Sequence, residues 1–409
     1  MSDFKPTLDW IDAQDQAMRQ LVRELADINS GSENLTGLAT VAGKLLLELA
    51  KLPAKTQLLD TRPRTIVDAR GNIIQQPLGK AIQAMRQPAE KGSPRVLLCI
   101  HYDTVFGVDH PFQKCIETEV NKLTGPGAVD AKGGIVVLLY ALLALERSPV
   151  AGRIAWEVLL VPDEEIGSPG SHHLITEAAG RHDLGLLFEP ALKDGTIVES
   201  RKGSGNFTIT VHGRAAHAGR DSEKGRSAIH AAAEAVCELT AASRAIEGST
   251  LNVGRIDGGG EVNVVADVAV IRFNVRVMDR LQQAAIERVI ADAIARLNQK
   301  DGITAELHGS FHAPPKTLDD ATRNILTRIV EAGVALKLKI GTCSTGGVSD
   351  GNKLAAAGLA NVDTLGPRGG DLHSTSEYIL LDSLTERAKL TALYLMKLAA
   401  SSLQPSDQS

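Results

Sequence analysis

The chain has 409 residues, of which 43% are hydrophobic, 23% charged and only 3% aromatic, and its formal net charge is −5. This length allows two domains with a sizeable core. The negative charge and the scarcity of aromatic side chains argue against nucleic acid as a partner, because such binding needs a basic surface or stacking platforms.

The cysteines and the apolar segments indicate a cytoplasmic protein. The four cysteines are widely spaced and form no C-x-x-C pair, so we expect reduced thiols rather than a disulfide framework. The first residues lack a basic start followed by an apolar run, and no secretory signal is predicted. The longest apolar stretch, 135–145, is shorter than the ~18 residues of a membrane span and suits a buried helix.

The first third of the chain begins with helical patterns. Apolar residues at helical spacing predict one helix over 11–28 and a second over 35–49. Residues 53–94 are ambiguous, with polar turns at 68–72 and 88–94 between short segments.

Apolar strands then alternate with helices. Strands are predicted at 95–100, 154–161 and 184–188, with the apolar helix 135–145 between the first two. This alternation indicates an α/β layer with a mostly parallel sheet. In such sheets function gathers at the carboxyl ends of the strands, where His101, the acidic run 163–165 and Glu189 all lie.

The pattern changes near residue 203. Polar and apolar residues alternate at 206–211 and 271–277, which is typical of half-buried antiparallel strands. Together with helices at 227–239 and 281–297 and a strand at 303–307, they form a β-α-β-β-α-β-like block over about 203–312, and we predict an inserted second domain. The α/β pattern resumes with helices predicted at 318–334, 353–357 and 380–400.

Several polar residues admit both a structural and a chemical role. In the His101-x-Asp103 pair the carboxylate could fix the tautomer of a metal-bound imidazole, or His101 could simply be hydrogen-bonded at a strand end. Asp130 lies in a Gly-rich turn before an apolar helix, where it could be a helix cap or could bridge two cations.

The acidic run carries a similar ambiguity. It could be a solvated acidic loop, but Glu164 and Glu165 are adjacent, so their side chains diverge and one could bind metal while the other acts as a general base. His373 lies in a polar loop before the last helix, and residues 374–377 resemble a capping box.

Together these residues suit a dinuclear metal site with nitrogen and oxygen ligands, for which zinc is appropriate. Two divalent ions set against the carboxylates of Asp130, Glu165 and Glu189 leave one positive charge. That remainder favours a bound hydroxide, the nucleophile of metal-assisted hydrolysis.

The order of these motifs resembles the M20 metallopeptidase family, in its glutamate carboxypeptidase and acetylornithine deacetylase branch. The matching segments are HYDTV at 101–105, GAVDAKGG at 127–134, DEEIG at 163–167, FEP at 188–190 and the late His373. The resemblance implies a zinc-dependent exopeptidase-like α/β catalytic domain, formed by residues 1–202 and 313–409. It also implies a ferredoxin-like lid or dimerisation domain at 203–312.

By motif position, the resemblance assigns five metal ligands: His101, Asp130, Glu165, Glu189 and His373. Asp130 would bridge two Zn²⁺ ions, or Co²⁺ or Mn²⁺, with His101 and Glu189 completing one site and Glu165 and His373 the other. Glu164 would be the general base that deprotonates the bridging water, and Asp103 would orient His101.

The resemblance also assigns roles to the inserted domain. His217, in GRAAHAG at 213–219, would stabilise the oxyanion, often in the partner subunit's site, so a homodimer is expected. Asn263 and Arg276 would bind the substrate carboxylate, and Gly347 lies in a Gly-rich substrate loop. No Arg occurs at 310–312, where glutamate-releasing relatives carry a basic side chain, which weakens strict glutamate specificity.

The resulting prediction is a dizinc hydrolase that cleaves an amide or peptide bond next to a free carboxylate, as a carboxypeptidase or dipeptidase does. One alternative is an N-acyl amino acid deacylase, because substrate choice depends on lid loops that the sequence does not resolve. A lesser alternative is a non-catalytic, metal-stabilised binding protein.

Overall fold

The structure is a computed structural model that describes residues 2–88, 90 and 92–401. The helices in this part of the chain are α1 (Lys5–Asp12), α2 (Asp15–Ala26), α3 (Leu35–Leu49), α4 (Gly134–Leu145), α5 (His172–Ala179), α6 (Ala228–Arg244), α7 (Arg280–Asn298), α8 (Asp320–Ala335), α9 (Asp350–Ala356) and α10 (Ser383–Ser401). The strands are β1 (Lys55–Leu59), β2 (Arg64–Val67), β3 (Ile73–Gln76), β4 (Ala81–Arg86), β5 (Arg95–His101), β6 (Ile116–Glu119), β7 (Lys122–Thr124), β8 (Ala155–Val161), β9 (Leu184–Leu187), β10 (Ile197–Arg201), β11 (Gly203–His212), β12 (Thr250–Gly258), β13 (Val268–Val277), β14 (Thr304–Ala313), β15 (Thr342–Thr345), β16 (Asn361–Val362), β17 (Gly369–Gly370) and β18 (Tyr378–Leu380).

A six-stranded sheet in the order β1-β4-β8-β5-β9-β16 forms the centre of the larger layer. The strands β8, β5, β9 and β16 run parallel to one another, and β4 and β1 extend the sheet antiparallel at one edge. Both faces are covered, one by the core that includes α1 to α4, α8 and α10, the other by α5 and α9. The predicted α/β class with a mostly parallel sheet is confirmed.

Every residue of the helix α4 is buried in this core. Among the described residues one segment, Ala128–Leu145, is long and apolar enough to cross a membrane, with a mean hydropathy of 1.9 over 18 residues, and all of it is buried inside the protein. It is longer than the predicted apolar stretch because the Gly-rich turn before α4 continues into the helix. The turn therefore delivers Asp130 into the protein interior.

Three features differ from the sequence predictions. The helix predicted over 11–28 is two helices, because a turn at residues 13–14 lets α1 and α2 pack separately on α4 and α10. The ambiguous segment before residue 95 contains β1 and β4 of the main sheet and a separate hairpin of β2 and β3. The strand β12 was not predicted; it is an edge strand with mostly exposed side chains, so its apolar pattern is weak.

The second layer has its own core. An antiparallel sheet in the order β12-β13-β11-β14 packs against α6 and α7, in the chain order β-α-β-β-α-β. β11 begins at Gly203 and β14 ends at Ala313. We refer to this unit, 203–313, as the lid.

Close packing between α4 and the end of β9 requires a glycine. A Cβ atom on Gly134 would lie 2.1 Å from the carbonyl oxygen of Phe188, although the backbone of Gly134 has ordinary helical angles. The space itself, rather than the backbone conformation, excludes a side chain here. At Gly43 in α3 there is room for a side chain, because nothing lies within 4 Å of the position that a Cβ atom would take.

We predict that Gly134→Ala destabilises the protein by about 1–3 kcal/mol, the usual penalty for overpacking. Gly43→Ala is the control and should stabilise by about 0.5–1 kcal/mol, because alanine is the better helix former. Thermal unfolding of both variants measures the difference. Equal melting temperatures for the two variants would show that the Gly134 contact is not tight.

Candidate metal centre and substrate cavity

Three neighbouring strands bring the predicted ligands together. His101 is the last residue of β5, Glu164 and Glu165 lie in a short helical turn after β8, and Glu189 follows β9. Because β8, β5 and β9 are adjacent and parallel, their carboxyl ends meet at one edge of the sheet.

Asp130 lies between the two histidines. Its Oδ1 is 3.1 Å from Nε2 of His101, and its Oδ2 is 3.5 Å from Nε2 of His373. Each oxygen of this carboxylate therefore faces a different imidazole, the arrangement that a carboxylate shared by two cations requires.

Of the remaining carboxylates, one lies near His101 and one near His373. Oε2 of Glu189 is 3.7 Å from Nε2 of His101, and Oε2 of Glu165 is 3.2 Å from Nε2 of His373. One potential ligand atom from each of His101, Asp130 and Glu165 also lies within 4.8 Å of the other two. This set of imidazoles and carboxylates fits a divalent ion such as zinc.

The carboxylates are held in an environment that disfavours their charge. Burial raises the pKa of Glu164 well above its ordinary value, and the nearby Glu189 adds to this shift. Burial, then the charge of Asp130, raise the pKa of Glu165 to about 7, and burial also raises the pKa of Glu189. Cations bound at this place would relieve both the burial and the repulsion.

The imidazoles show the complementary shift. Hydrogen bonds to Asp130 and then to Glu165 raise the pKa of His373 to about 10. Burial alone would lower the pKa of His101, but the charge of Glu189 and hydrogen bonds to Asp103 and Asp130 outweigh it and raise the pKa well above the ordinary value. Protons on the histidines thus provide the positive charge that the cluster needs when no metal is bound.

The carboxylate of Asp103 contacts both His101 and the turn that carries Glu164 and Glu165. Its Oδ1 lies 3.3 Å from Nδ1 of His101. The same carboxylate accepts hydrogen bonds from the backbone N–H of Glu164 at 3.1 Å and of Glu165 at 3.2 Å, and from Oγ of Ser32 at 2.6 Å. One buried carboxylate thus fixes the imidazole and the turn that carries the two glutamates. No sequence pattern pointed to Ser32.

The two adjacent glutamates lie in a short helical turn rather than in an extended backbone, and they have different partners. Glu165 contacts His373, whereas the carboxylate of Glu164 lines the cavity and makes no hydrogen bond with any described residue. Glu164 is therefore free to exchange a proton with a molecule in the cavity.

The predicted capping box at 374–377 is wrong. The last helix begins only at Ser383, and β18 lies between. Glu377 instead is buried, and its carboxylate accepts hydrogen bonds from the backbone of the Asp130 turn. The capping pattern was misleading because the loop leads into β18, which pairs with β7, and not into a helix.

Arg276 and Gly347 line the same cavity, which has a volume of about 450 Å³. Nε of Arg276 donates to Oδ1 of Asn274 at 3.1 Å, while its Nη1 is buried without a hydrogen-bond partner among the described residues. Other lining residues that the sequence did not indicate include Lys353 and His312. Burial, then the charge of Lys353, lower the pKa of His312 to about 3, so this imidazole is neutral.

Two further basic residues near the cavity are already engaged. Arg201 donates to both oxygens of Asp363, at 2.9 and 2.8 Å. Nζ of Lys202 points to the carbonyl of Gly248 at 3.4 Å, and Lys202 does not line the cavity. Neither replaces the arginine that 310–312 lacks.

His217 and Asn263 are not at the site. Both are exposed and lie together in the lid, where the N–H of Ala218 donates to the carbonyl of Asn263 at 2.9 Å. Neither lines the cavity of its own chain. Of the three residues that the resemblance places in the lid, only Arg276 lines the cavity that contains the metal-ligand cluster.

Comparisons with known proteins agree with this architecture. Residues 97–397 match the family described as Peptidase family M20/M25/M40. The chain is 26% identical to carboxypeptidase G2 of Pseudomonas sp. (strain RS-16), over 94% of this chain and 90% of that protein. It is 30% identical to succinyl-diaminopimelate desuccinylase of Gluconobacter oxydans (strain 621H), over 75% of this chain and 81% of that protein.

Solved structures show the same fold. An M20 family metallo-carboxypeptidase from Sulfolobus solfataricus superposes with a TM-score of 0.70 at 16% identity, covering 94% of this chain and 99% of that one. The dipeptidase Dug1p from Saccharomyces cerevisiae superposes with a TM-score of 0.71 at 14% identity, covering 98% and 99%.

We predict that zinc binding to the metal-free protein releases protons and strengthens with pH. His373, with its pKa raised to about 10, is protonated at neutral pH, and a metal ion binds only the neutral imidazole. Calorimetry in buffers of different ionisation heat should show proton release and an apparent Kd that falls from about pH 6 to about pH 8. His373→Ala should release fewer protons. Binding that is independent of pH would contradict this electrostatic description.

Proposed function

Because the chain belongs to peptidase family M20/M25/M40, we propose that it is a dizinc hydrolase that cleaves the amide bond next to a free carboxylate in a small peptide. Membership makes it a metal-dependent hydrolase. Relatives named as a carboxypeptidase and as a desuccinylase support a peptide or an N-acyl amino acid as the substrate.

Arg276 is the observation that carries the substrate proposal. Its Nη1 is a buried donor with no partner among the described residues, in a cavity that also contains the metal-ligand cluster. Leaving a buried charged donor unpaired is costly, and a carboxylate satisfies a guanidinium through two parallel hydrogen bonds. A substrate carboxylate at Arg276 would place the neighbouring amide between the lid and the metal ligands.

The metal ligands would be His101, Asp130, Glu165, Glu189 and His373, with Asp130 shared. Zinc suits this ligand set, and Co²⁺ or Mn²⁺ are alternatives. Two bound ions would activate a water molecule and polarise the scissile carbonyl.

Glu164 would move the protons. Its carboxylate is free of hydrogen bonds within the described chain, and burial raises its pKa, so it can accept a proton from water and return it to the leaving amine. Asp103 would hold His101 in the tautomer that presents Nε2 to the metal.

A homodimer would complete the site. His217 and Asn263 are exposed in the lid and do not reach the cavity of their own chain. We propose that they act in the partner's site, where His217 stabilises the oxyanion and Asn263 contacts the substrate carboxylate. The free thiols of all four cysteines support a cytoplasmic location.

The second candidate, an N-acyl amino acid deacylase, breaks the same kind of bond and uses the same residues. The two differ in the group on the acyl side of the amide. The third candidate, a non-catalytic binding protein, predicts metal binding without turnover.

The substrate proposal is tested with a panel of dipeptides and N-acyl amino acids, each with a free or an amidated carboxylate. We expect zinc-dependent cleavage of the free acids only. Arg276→Met should raise KM for the acids by 10-fold or more, on the order of the 1.5–3 kcal/mol of a charged hydrogen bond. Equal cleavage of acids and amides would refute the role of Arg276, and zinc binding without any cleavage would favour the binding protein.

We predict that Glu164→Gln keeps its metals but loses turnover by about 10²–10⁴-fold, the usual contribution of a general base. Metal content by elemental analysis and kcat are measured together. Glu165→Gln is the matched control and should lose metal as well. If Glu164→Gln also lost metal, Glu164 would be a ligand and not the base.

Mixing two inactive variants tests the role of His217 across the dimer. Glu164→Gln and His217→Ala subunits, mixed and allowed to exchange, should recover activity, because one site of the heterodimer receives both intact groups. No recovery after confirmed exchange would place His217 in its own chain's site or outside catalysis.

A further inference from the structure

Glu377 is a buried carboxylate without an assigned role. Only 1% of the residue is exposed. Its Oε1 accepts hydrogen bonds from the backbone N–H of Val129 at 3.1 Å and of Asp130 at 3.2 Å, and its Oε2 accepts one from Gly127 at 3.2 Å. Three backbone donors of the Asp130 turn thus converge on one side chain.

The turn is shaped to present these donors. Gly127 has a φ of 69°, in the left-handed region that favours glycine, and a Cβ there would lie 2.5 Å from Cγ2 of Thr104. The N–H of Ala128 returns to the carbonyl of Gly125 at 3.1 Å, and the N–H of Gly125 donates to the backbone carbonyl of Glu377 at 3.1 Å. The turn therefore donates hydrogen bonds both to the backbone carbonyl of Glu377 and to its side chain.

Glu377 also belongs to the loop that carries His373. The two residues are four positions apart, whereas Glu377 and Asp130 are separated by 247 positions in the chain. The pairing of β18 with β7 begins immediately after Glu377, at Tyr378 and Thr124. Glu377 thus connects the loops of two metal ligands that no sequence proximity holds together.

We propose that Glu377 is a positioning residue of the metal centre, which fixes the orientation of the Asp130 carboxylate relative to His373. This inference rests on the proposed dinuclear site. Asp130 has to direct one oxygen to each side, and a backbone free to rotate would lose one of the two contacts. Replacing a group that orients a metal ligand lowers metal affinity or activity by about 10–100-fold.

Both carboxyl oxygens of Glu377 are needed, because each accepts a backbone hydrogen bond. A glutamine amide would place its NH₂ group against at least one N–H of the turn, so one donor would lose its partner. Glu377→Gln is therefore a small change in volume that removes the proposed function of the side chain.

The matched control is Glu157→Gln. Glu157 is also fully buried, and its carboxylate accepts hydrogen bonds from Gln83 and Arg181 within the main sheet, away from the metal ligands. Both variants replace one buried carboxyl group with an amide, but only Glu377→Gln alters the Asp130 turn.

The experiment measures zinc binding to metal-free protein by calorimetry, together with amide exchange of residues 125–131. We expect Glu377→Gln to weaken zinc binding by at least 10-fold, to speed the exchange of the turn amides, and to lower kcat with KM unchanged. Glu157→Gln should bind zinc as the wild type does. Unchanged zinc affinity in Glu377→Gln, or an equal loss in both variants, would overturn the proposal.

Amide exchange in the wild type keeps the proposal testable if Glu377→Gln does not fold. The amides of Gly127, Val129 and Asp130 should be protected without metal, and rapid exchange there would overturn the role of Glu377. If wild-type protein bound no zinc at all, the proposed function would fail and this inference with it.

Discussion

The structure depends on one electrostatic problem, the burial of five carboxylates around two imidazoles. Asp103, Asp130, Glu164, Glu165 and Glu189 lie within the same edge of the sheet, where charge is costly to desolvate. Burial and mutual repulsion raise the pKa of Glu165, and the neighbouring carboxylates raise the pKa of His101 and His373, so the cluster favours bound protons or cations. Divalent ions are the natural replacement for those protons, so the fold is built to bind them.

A second set of interactions keeps these groups in place. Asp103 holds the glutamate turn through two backbone amides, and Glu377 holds the Asp130 turn through three. In both cases a carboxylate that binds no cation satisfies backbone donors, which gives the ligands a rigid support. The lid contributes a positive group to the cavity lining, Arg276, whose Nη1 has no hydrogen-bond partner within the described chain. Most of the predicted metal ligands and Arg276 thus line one cavity.

Much of the fold could be predicted, because buried helices and strands carry apolar residues at regular spacing or in continuous runs. The helix α3 has the predicted bounds, 35–49, and the strands that carry His101 and the acidic run are continuous apolar segments. The break between α1 and α2 has no Gly or Pro to signal it, and β12 lies at an exposed edge where polar side chains are tolerated. The role of Glu377 could not be predicted, because its partners are backbone amides about 250 positions away in the chain. No pattern of side chains in the sequence indicates such contacts.

The most direct test of the dinuclear site is anomalous X-ray scattering at the zinc edge from crystals of the zinc-loaded protein. We predict two anomalous peaks per chain, one beside His101 and Glu189 and the other beside His373 and Glu165, with the Asp130 carboxylate between them. A single peak, or two peaks that do not share Asp130, would contradict it.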